Sequence, residues 1–279
     1  MDNVRMLMKS IRTGDTTDVR IKKIFDSTFI EWDDNKPERF GFHLSSLKSP
    51  FKGKTQLCYR EQTLQSFYHA YPVVPPISTL RIYLEGWYIH LKWQKLFRES
   101  SKIIAVEIEK TRKDPIWGIW YTPDAIIILP SLSQDKRIVE IKSMGRKSYE
   151  TAVLIDDPMK IHPDGYKQSQ LYMHLCGIDH AILLLECKDT QEYTVISFKY
   201  DEEFCKPYIH RFNILSQLPE KYKNEDKLAK RVCIDDQEAR AKSCPMRHVC
   251  FITKEEREHY RIVEEDTRTI QINASLAHE

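Results

Sequence analysis

The sequence predicts an α/β protein, a mixed central β-sheet flanked by helices, and three observations carry that expectation. Short β-rich runs follow one another through the middle of the chain, at 103–109, 117–121, 124–129 and 137–143, separated by turn chemistry at Lys113-Asp114-Pro115 and at 130–136. Helical spacing brackets them: Leu80, Tyr83, Leu84, Trp87, Leu91 and Leu96 recur on one face before the strands, and 166–176 repeats the pattern after them. A hydrophobic share of 41% over 279 residues supplies a substantial core without disulfides, while only 8 glycines exclude collagen-like or glycine-linker architectures.

Taken in order, residues 1–40 are polar and mixed in charge and read as short helices and turns. Ser45 or Ser46 is positioned to cap a short helix leading towards Cys58. The run Val73-Val74-Pro75-Pro76 closes that segment, because proline pushes its predecessor out of the α region. A longer helix is expected over 78–97, with Ser78 as its N-cap. The β-rich runs follow as a meander. Then comes the helix 166–176, stopped by Gly177, and two more strands at 180–186 and 193–198. From Asp201 the chain is helical and polar, and after Val263 it is acidic and weakly patterned. The expected divisions are an N-terminal helical segment (1–75), a core (76–200), a C-terminal helical subdomain (201–262) and a polar tail (263–279).

Charge gives no direct pointer to a partner, since 43 basic and 41 acidic residues leave +2. The near-zero sum hides a basic segment, Lys206 to Arg247, offset by an acidic stretch from Lys254 onwards. Lys221, Lys223, Lys227, Lys230 and Arg231 could line a groove for a DNA backbone or form a solvated helix face. Seven cysteines, an odd count, and no secretory pattern over Met1 to Ser10 argue for a reducing, cytoplasmic setting. The longest apolar runs, such as Ala125 to Leu129 and Ala181 to Leu185, are far shorter than a bilayer span.

The most informative stretch is Pro123-Asp124-Ala125-Ile126-Ile127-Ile128-Leu129, a turn, and Arg137-Ile138-Val139-Glu140-Ile141-Lys142. Strand alternation places Glu140 and Lys142 on one face and Ile141 on the core face. Antiparallel pairing would bring Asp124 beside Glu140, and two carboxylates about 4 Å apart repel by roughly 1–4 kcal/mol at effective dielectrics of 80 to 20. A divalent cation removes that cost. Oxygen ligands suit Mg²⁺ or Mn²⁺, which polarises a phosphodiester and acidifies a bound water, and Lys142 would orient or deprotonate that water. A Glu-x-Lys pair taken alone is usually a solvated ion pair, but the apolar strands on both sides weigh against a surface location.

With those residues in view, the sequence resembles the PD-(D/E)XK nuclease superfamily, whose signature Pro123-Asp124 and Glu140-Ile141-Lys142 reproduce. Gly86-Trp87-Tyr88-Ile89-His90 is similar to the Gly-x-x-x-His helix of RecB-type exonucleases, and Gln168-Ser169-Gln170-Leu171-Tyr172 to their Gln-x-x-x-Tyr helix. The resemblance implies a restriction-endonuclease-like core and a metal-dependent DNA exonuclease acting on single strands or DNA ends. In that reading His90, Asp124, Glu140 and the Ile141 carbonyl bind Mg²⁺ or Mn²⁺. Lys142 is catalytic, and Gln168 and Tyr172 contact the site or the DNA. Recombination, replication and CRISPR adaptation are the implied settings, with a helicase or a recombination or CRISPR protein as the further partner. A DNA-binding accessory module that keeps the nuclease shell without turnover is the competing class. Read from the residues alone, His90 beside Trp87 and Trp93, and Tyr172 at helical spacing, are more often packing.

Three cysteines, Cys233, Cys244 and Cys250, fall in a polar helical region that offers little apolar cover. With Cys58, which precedes Tyr59-Arg60, they resemble the four cysteines of iron–sulfur RecB-type nucleases, of the AddB and Cas-four kinds. There one N-terminal and three C-terminal thiolates hold a [4Fe-4S] cluster and staple the flanking helices to the core. That family usually places two and five residues between the last three cysteines, whereas this chain places ten and five. The longer gap leaves a second assignment, a zinc ion held by Cys233, Cys244, His248 and Cys250. Cys176, Cys187 and Cys205 are expected to be packing residues.

Overall fold

The structure, a computed structural model, describes residues 22, 24–28, 42–44, 58–68, 76–155, 157–221 and 228–262. Ser45, Ser46, residues 73–75, Lys223, Lys227, the tail from Val263 and most of segment 1–40 lie outside them. Helix α1 (Tyr59–Gln65) is followed by α2 (Ile77–Glu99), which begins one residue before Ser78. Pro76, at φ −53°, holds the N-cap position without a side-chain hydrogen bond, so Ser78 is not the cap. The proline carbonyl accepts the Thr79 and Leu80 N–H groups at 2.7 and 3.1 Å, leaving nothing at Ser78 to cap.

Strand β1 (Ile104–Ile108) leads into a two-residue ribbon, β2 (Arg112–Lys113) paired with β3 (Trp120–Tyr121). The expected strand 117–121 is therefore neither full length nor part of the central sheet. Asp114 consumes its first half: Oδ1 accepts from the Ile116 and Trp117 N–H groups at 2.9 and 2.7 Å, and Gly118 turns the chain at φ +66°.

Strands β4 (Ala125–Ile128) and β5 (Lys136–Met144) form the expected antiparallel hairpin. The chain then crosses over through α3 (Arg146–Ala152), α4 (Pro158–Ile161) and α5 (Pro163–Cys176) to β6 (His180–Cys187), which pairs parallel to β5, and returns antiparallel in β7 (Tyr193–Lys199). The sheet order is β1-β4-β5-β6-β7. A parallel neighbour requires such a crossover, which is why the strand run is interrupted by helices here and nowhere else in the sheet. Helix α5 starts three residues before the expected Tyr166, because His162 Nδ1 accepts the Gly165 N–H at 2.9 Å and Pro163 fits the first turn. Gly177, at φ 63°, ends it as expected.

Strand alternation sorts the sheet into two buried faces. Ala125, Ile127, Val139, Ile141 and Leu184 pack under α2 against Ile89 and Phe97. Ile126, Ile138 and Ala181 pack on the opposite side with Leu171, Tyr172 and Met173 of α5 and Tyr208 and Phe212 of α6 (Glu202–Lys221). Each fully buried aliphatic side chain contributes about 1.5–3 kcal/mol. A third cluster joins the chain's flanks: Leu64 and Tyr68 meet Met246 and Val249, between α7 (Ala239–Lys242) and α9 (Lys254–Arg257), with α8 (Arg247–Cys250) carrying Val249. Cys187 and Cys205 are fully buried, in line with a packing role.

One close approach fixes α5 against β6, with β5 alongside. A Cβ added at Gly165 would lie 2.9 Å from both Leu183 Cδ1 and His162 Nδ1, and 3.4 Å from Lys142 Cγ. Leu183 is fully buried and His162 is engaged as the cap, so neither can yield cheaply. Gly165→Ala is expected to cost about 1–3 kcal/mol in urea denaturation, the usual penalty of overpacking, whereas Gly145→Ala, with open space at its Cβ, should stay within about 0.5 kcal/mol.

Candidate active site

Past the Ala125–Val139 pair, β4 and β5 part company, and the Ile141 N–H has lost its strand partner. Asp124, one residue before β4, replaces it: Oδ2 accepts that N–H at 2.7 Å. The carboxylate is thereby locked at the fork, with Oδ1 turned to His90 Nδ1 of α2 at 3.3 Å. Glu140 and Lys142 project together from β5 on the side away from Ile141, as the alternation required. Their contact, Lys142 Nζ to Glu140 Oε1, is 2.5 Å. The Glu140 side chain is 2% exposed, and its second oxygen, Oε2, is buried with no hydrogen-bond partner.

These four groups act on one another's charge. Burial raises the Glu140 carboxyl to about 7, and the attraction of Lys142 offsets only part of that while the charge of Asp124 adds to it. Burial would raise Asp124 too, but the His90 hydrogen bond and charge, with Lys142 and the Ile141 N–H, hold it below its ordinary value. For His90 and Lys142, burial favours the neutral form. The carboxylates overcome it, and both bases end above their usual values.

The donor chemistry fits a hard divalent cation. An orphaned buried carboxylate oxygen is a group that costs about 1–3 kcal/mol or more when left unsatisfied, and a cation would satisfy it. Among the described residues no group of three or more His, Cys, Asp or Glu side chains is close enough to hold a metal ion unaided. Mg²⁺ does not require such a cage, since it usually keeps several waters and takes one or two carboxylates from the protein.

Helix α5 brings the other two expected residues only part of the way. Tyr172 is buried in the core, its ring 6.4 Å from that of Tyr121. Gln168 is half-buried, one turn after Gly165 on the face that meets Lys142. The sequence reading missed three residues. Gly165 lets α5 approach the Lys142 stem, and Asp164 adds its charge to those acting on that lysine. Glu186 of β6, almost fully buried, accepts from Lys92 Nζ at 2.5 Å and Trp93 Nε1 at 2.6 Å, tying α2 to the sheet beside His90. A carboxylate closing the apolar run Ala181 to Leu185 was the available signal for Glu186.

Away from this fork, Cys58, Cys233, Cys244 and Cys250 line a single pocket together with Arg231, Arg240 and Arg247. Cys58 caps α1, its Sγ accepting the Glu61 N–H at 3.4 Å. Burial raises the Cys233, Cys244 and Cys250 thiols, Cys244 to about 12. Arg60 donates to the Ala229 and Cys250 carbonyls, so α1 and the C-terminal segment are joined at the pocket edge. His248 does not line it; its ring stands edge-on to Tyr260 at 5.1 Å. Cys176 lies apart, 3.8 Å from an Arg112 nitrogen. Of the expected basic groove, Arg231 packs over the Phe251 ring at the pocket instead.

No known protein-family profile matches the chain, and no curated protein matches it in sequence. No helix among the described residues is long and apolar enough to cross a membrane. The search of solved structures finds partial likenesses. An alkaline exonuclease, LHK-Exo, from Laribacter hongkongensis aligns at 16% identity over 53% of this chain and 75% of its own, with a TM-score of 0.40. Its complex with dAMP aligns at 15% over 55% and 83%, with a TM-score of 0.39. A protein described as SSO0001 aligns at 16% over 84% of this chain and 98% of its own, with a TM-score of 0.40.

Proposed function

We propose that the chain is a divalent-metal-dependent DNA nuclease, an exonuclease acting on single strands or DNA ends, whose centre is the Asp124–Glu140–Lys142 fork. The observation that carries the reading is Glu140: a carboxylate placed in a fully buried position, raised to about 7, with one oxygen bonded to lysine and the other to nothing. Such an arrangement stores an unmet demand for positive charge. Asp124, Glu140 and the Ile141 carbonyl would hold Mg²⁺ or Mn²⁺, with His90 as a further ligand or as the partner that orients Asp124. When bound, the cation polarises a phosphodiester and eases deprotonation of the attacking water. Lys142, raised against its burial by Glu140 and Asp124 and in contact with Glu140, would position a phosphate oxygen or the attacking water and offset the charge that develops there. Gln168, one turn after Gly165 on α5, would hydrogen-bond the strand being cut, and Tyr172 would support that helix from the core.

We also assign a [4Fe-4S] cluster to the cysteine pocket, held by Cys58, Cys233, Cys244 and Cys250. Four thiols in one pocket suit iron–sulfur chemistry, and a cluster that takes one thiolate per iron does not need three sulfurs around one ion. The arginines around the pocket would balance the thiolate charge. His248, which the zinc assignment would use, stands against Tyr260 and does not line the pocket, whereas Cys58 does.

End-labelled oligonucleotides should be degraded with Mg²⁺ or Mn²⁺ and remain intact in EDTA, and Lys142→Ala should slow turnover about 10²–10³-fold, the usual cost of one charge-stabilising donor. DNA that is bound yet never shortened would favour the accessory-module reading. Below about pH 7 the metal-free Glu140 carries a proton that the cation must displace. The Mn²⁺ affinity measured by calorimetry should therefore fall about tenfold per pH unit on the acid side of 7 and level off above it. Anaerobically purified protein should be brown, with iron and labile sulfide in equal amounts and a visible band that bleaches on reduction. Cys58→Ser should lose the colour, and a colourless protein containing zinc would overturn the cluster assignment.

A further inference from the structure

Three exposed aromatic rings stand within two turns of α2: Tyr83 at 52%, Trp87 at 43% and Tyr88 at 58% relative exposure. Large apolar groups gathered in the open are informative, whereas single ones are not. Tyr83, Trp87 and His90 fall at i, i+4 and i+7, so they share one edge of the helix, and neighbours on such an edge are about 5–6 Å apart. Exposure falls along that edge from Tyr83 through Trp87 to His90, whose side chain is 26% exposed and touches Asp124. The rings thus descend to the fork.

Cations flank this patch, but Arg81 and Lys92 already hold Asp26 and Glu186. What the patch offers is ring faces more than free charge. A duplex hides its base faces and presents phosphates, whereas a single strand presents both. Base–aromatic stacking contributes about 1–3 kcal/mol per base and tolerates every sequence.

We propose that Tyr83 and Trp87 are a base-stacking ramp for single-stranded DNA, which seats successive bases on one edge of α2 and delivers the following phosphodiester to Asp124, Glu140 and Lys142. The proposal rests on the nuclease reading for the identity of the strand, and its test is independent of turnover. In EDTA, a fluorescein-labelled oligothymidylate should bind the full-length protein and quench part of its tryptophan emission. Trp87→Phe should abolish that quench while keeping affinity within a few-fold, because a ring remains. Trp87→Ala and Tyr83→Ala should each weaken anisotropy-measured binding about 5- to 140-fold, which is the stacking range converted at 1.4 kcal/mol per factor of ten. Alanine variants that bind as tightly as the wild type, a quench that survives Trp87→Phe, or a wild type that does not bind the oligonucleotide would each overturn the ramp. If the wild type binds and quenches as expected but never cleaves with Mn²⁺, the ramp stands and the nuclease reading falls. If it cleaves while the alanine variants bind normally, only the ramp falls.

Discussion

The Glu140–Lys142 pair is the constraint around which the centre of this protein is arranged. A carboxylate at 2% exposure has given up nearly all its hydration, and one lysine repays only part of that loss, so its carboxyl sits near 7 and one oxygen stays unbonded. A sequence selected only for stability would replace such a pair with apolar side chains of similar volume. Here the surroundings hold it in place instead. Ile138 and Ile141 anchor β5 to the two opposite cores, which prevents a one-residue slip from turning the charges to the other side. Asp124 adds a second lock by taking the Ile141 N–H where the strands part.

Helix α2 is the second part of that arrangement, and its grip on the sheet comes from polar as well as apolar contacts. Glu186 binds the side chains of Lys92 and Trp93, Gly86 lies so close to Ser143 that an added Cβ would stand only 3.3 Å from its Oγ, and Ile89 and Phe97 fill the space between. His90 sits in the middle of these anchors, so its distance to Asp124 is set by contacts on both sides of it. The same rigidity fixes the exposed edge of the helix relative to the fork. A mobile helix could not present Tyr83 and Trp87 in a constant direction.

The fork was legible in the sequence because its information is local. Glu140 and Lys142 lie on one strand whose period of two fixes their face, and Asp124 immediately precedes the strand paired with it in the hairpin. Helix α5 was legible for the same reason, apart from its first turn. That turn depends on the His162 imidazole acting as a cap, which residue propensities do not announce. The ribbon β2–β3 was misread as sheet because the decisive contact is Asp114 to two backbone N–H groups, which shortens the strand to Trp120–Tyr121. Gly165 and Glu186 escaped notice because their partners, Lys142 and Leu183 for one and Lys92 and Trp93 for the other, are far away in sequence or belong to another element.

The cysteine pocket extends the same logic to the flanks of the chain. Cys58 and Arg60 come from the first turn of α1, whereas Cys233, Cys244 and Cys250 come from the segment after α6, and the apolar cluster beneath them is small. Leu64, Tyr68, Met246 and Val249 make a modest core for two stretches so far apart in sequence, since closing a long loop carries an entropy cost that a few buried side chains offset narrowly. In the cluster proposed above, the four thiols of this pocket would supply what the core lacks, because thiolates bind a metal centre only when both stretches are in place, and binding energy of that kind is folding energy. Burial raises three of these thiols even though Arg60 and Arg231 beside Cys250, and Arg240 beside Cys233, pull the other way. Burial favours the neutral form of the acids at both centres, and what differs is the opposition: at the fork the Lys142 ammonium in contact with Glu140 works against it, whereas at Cys244 it is the Met246 N–H that does so.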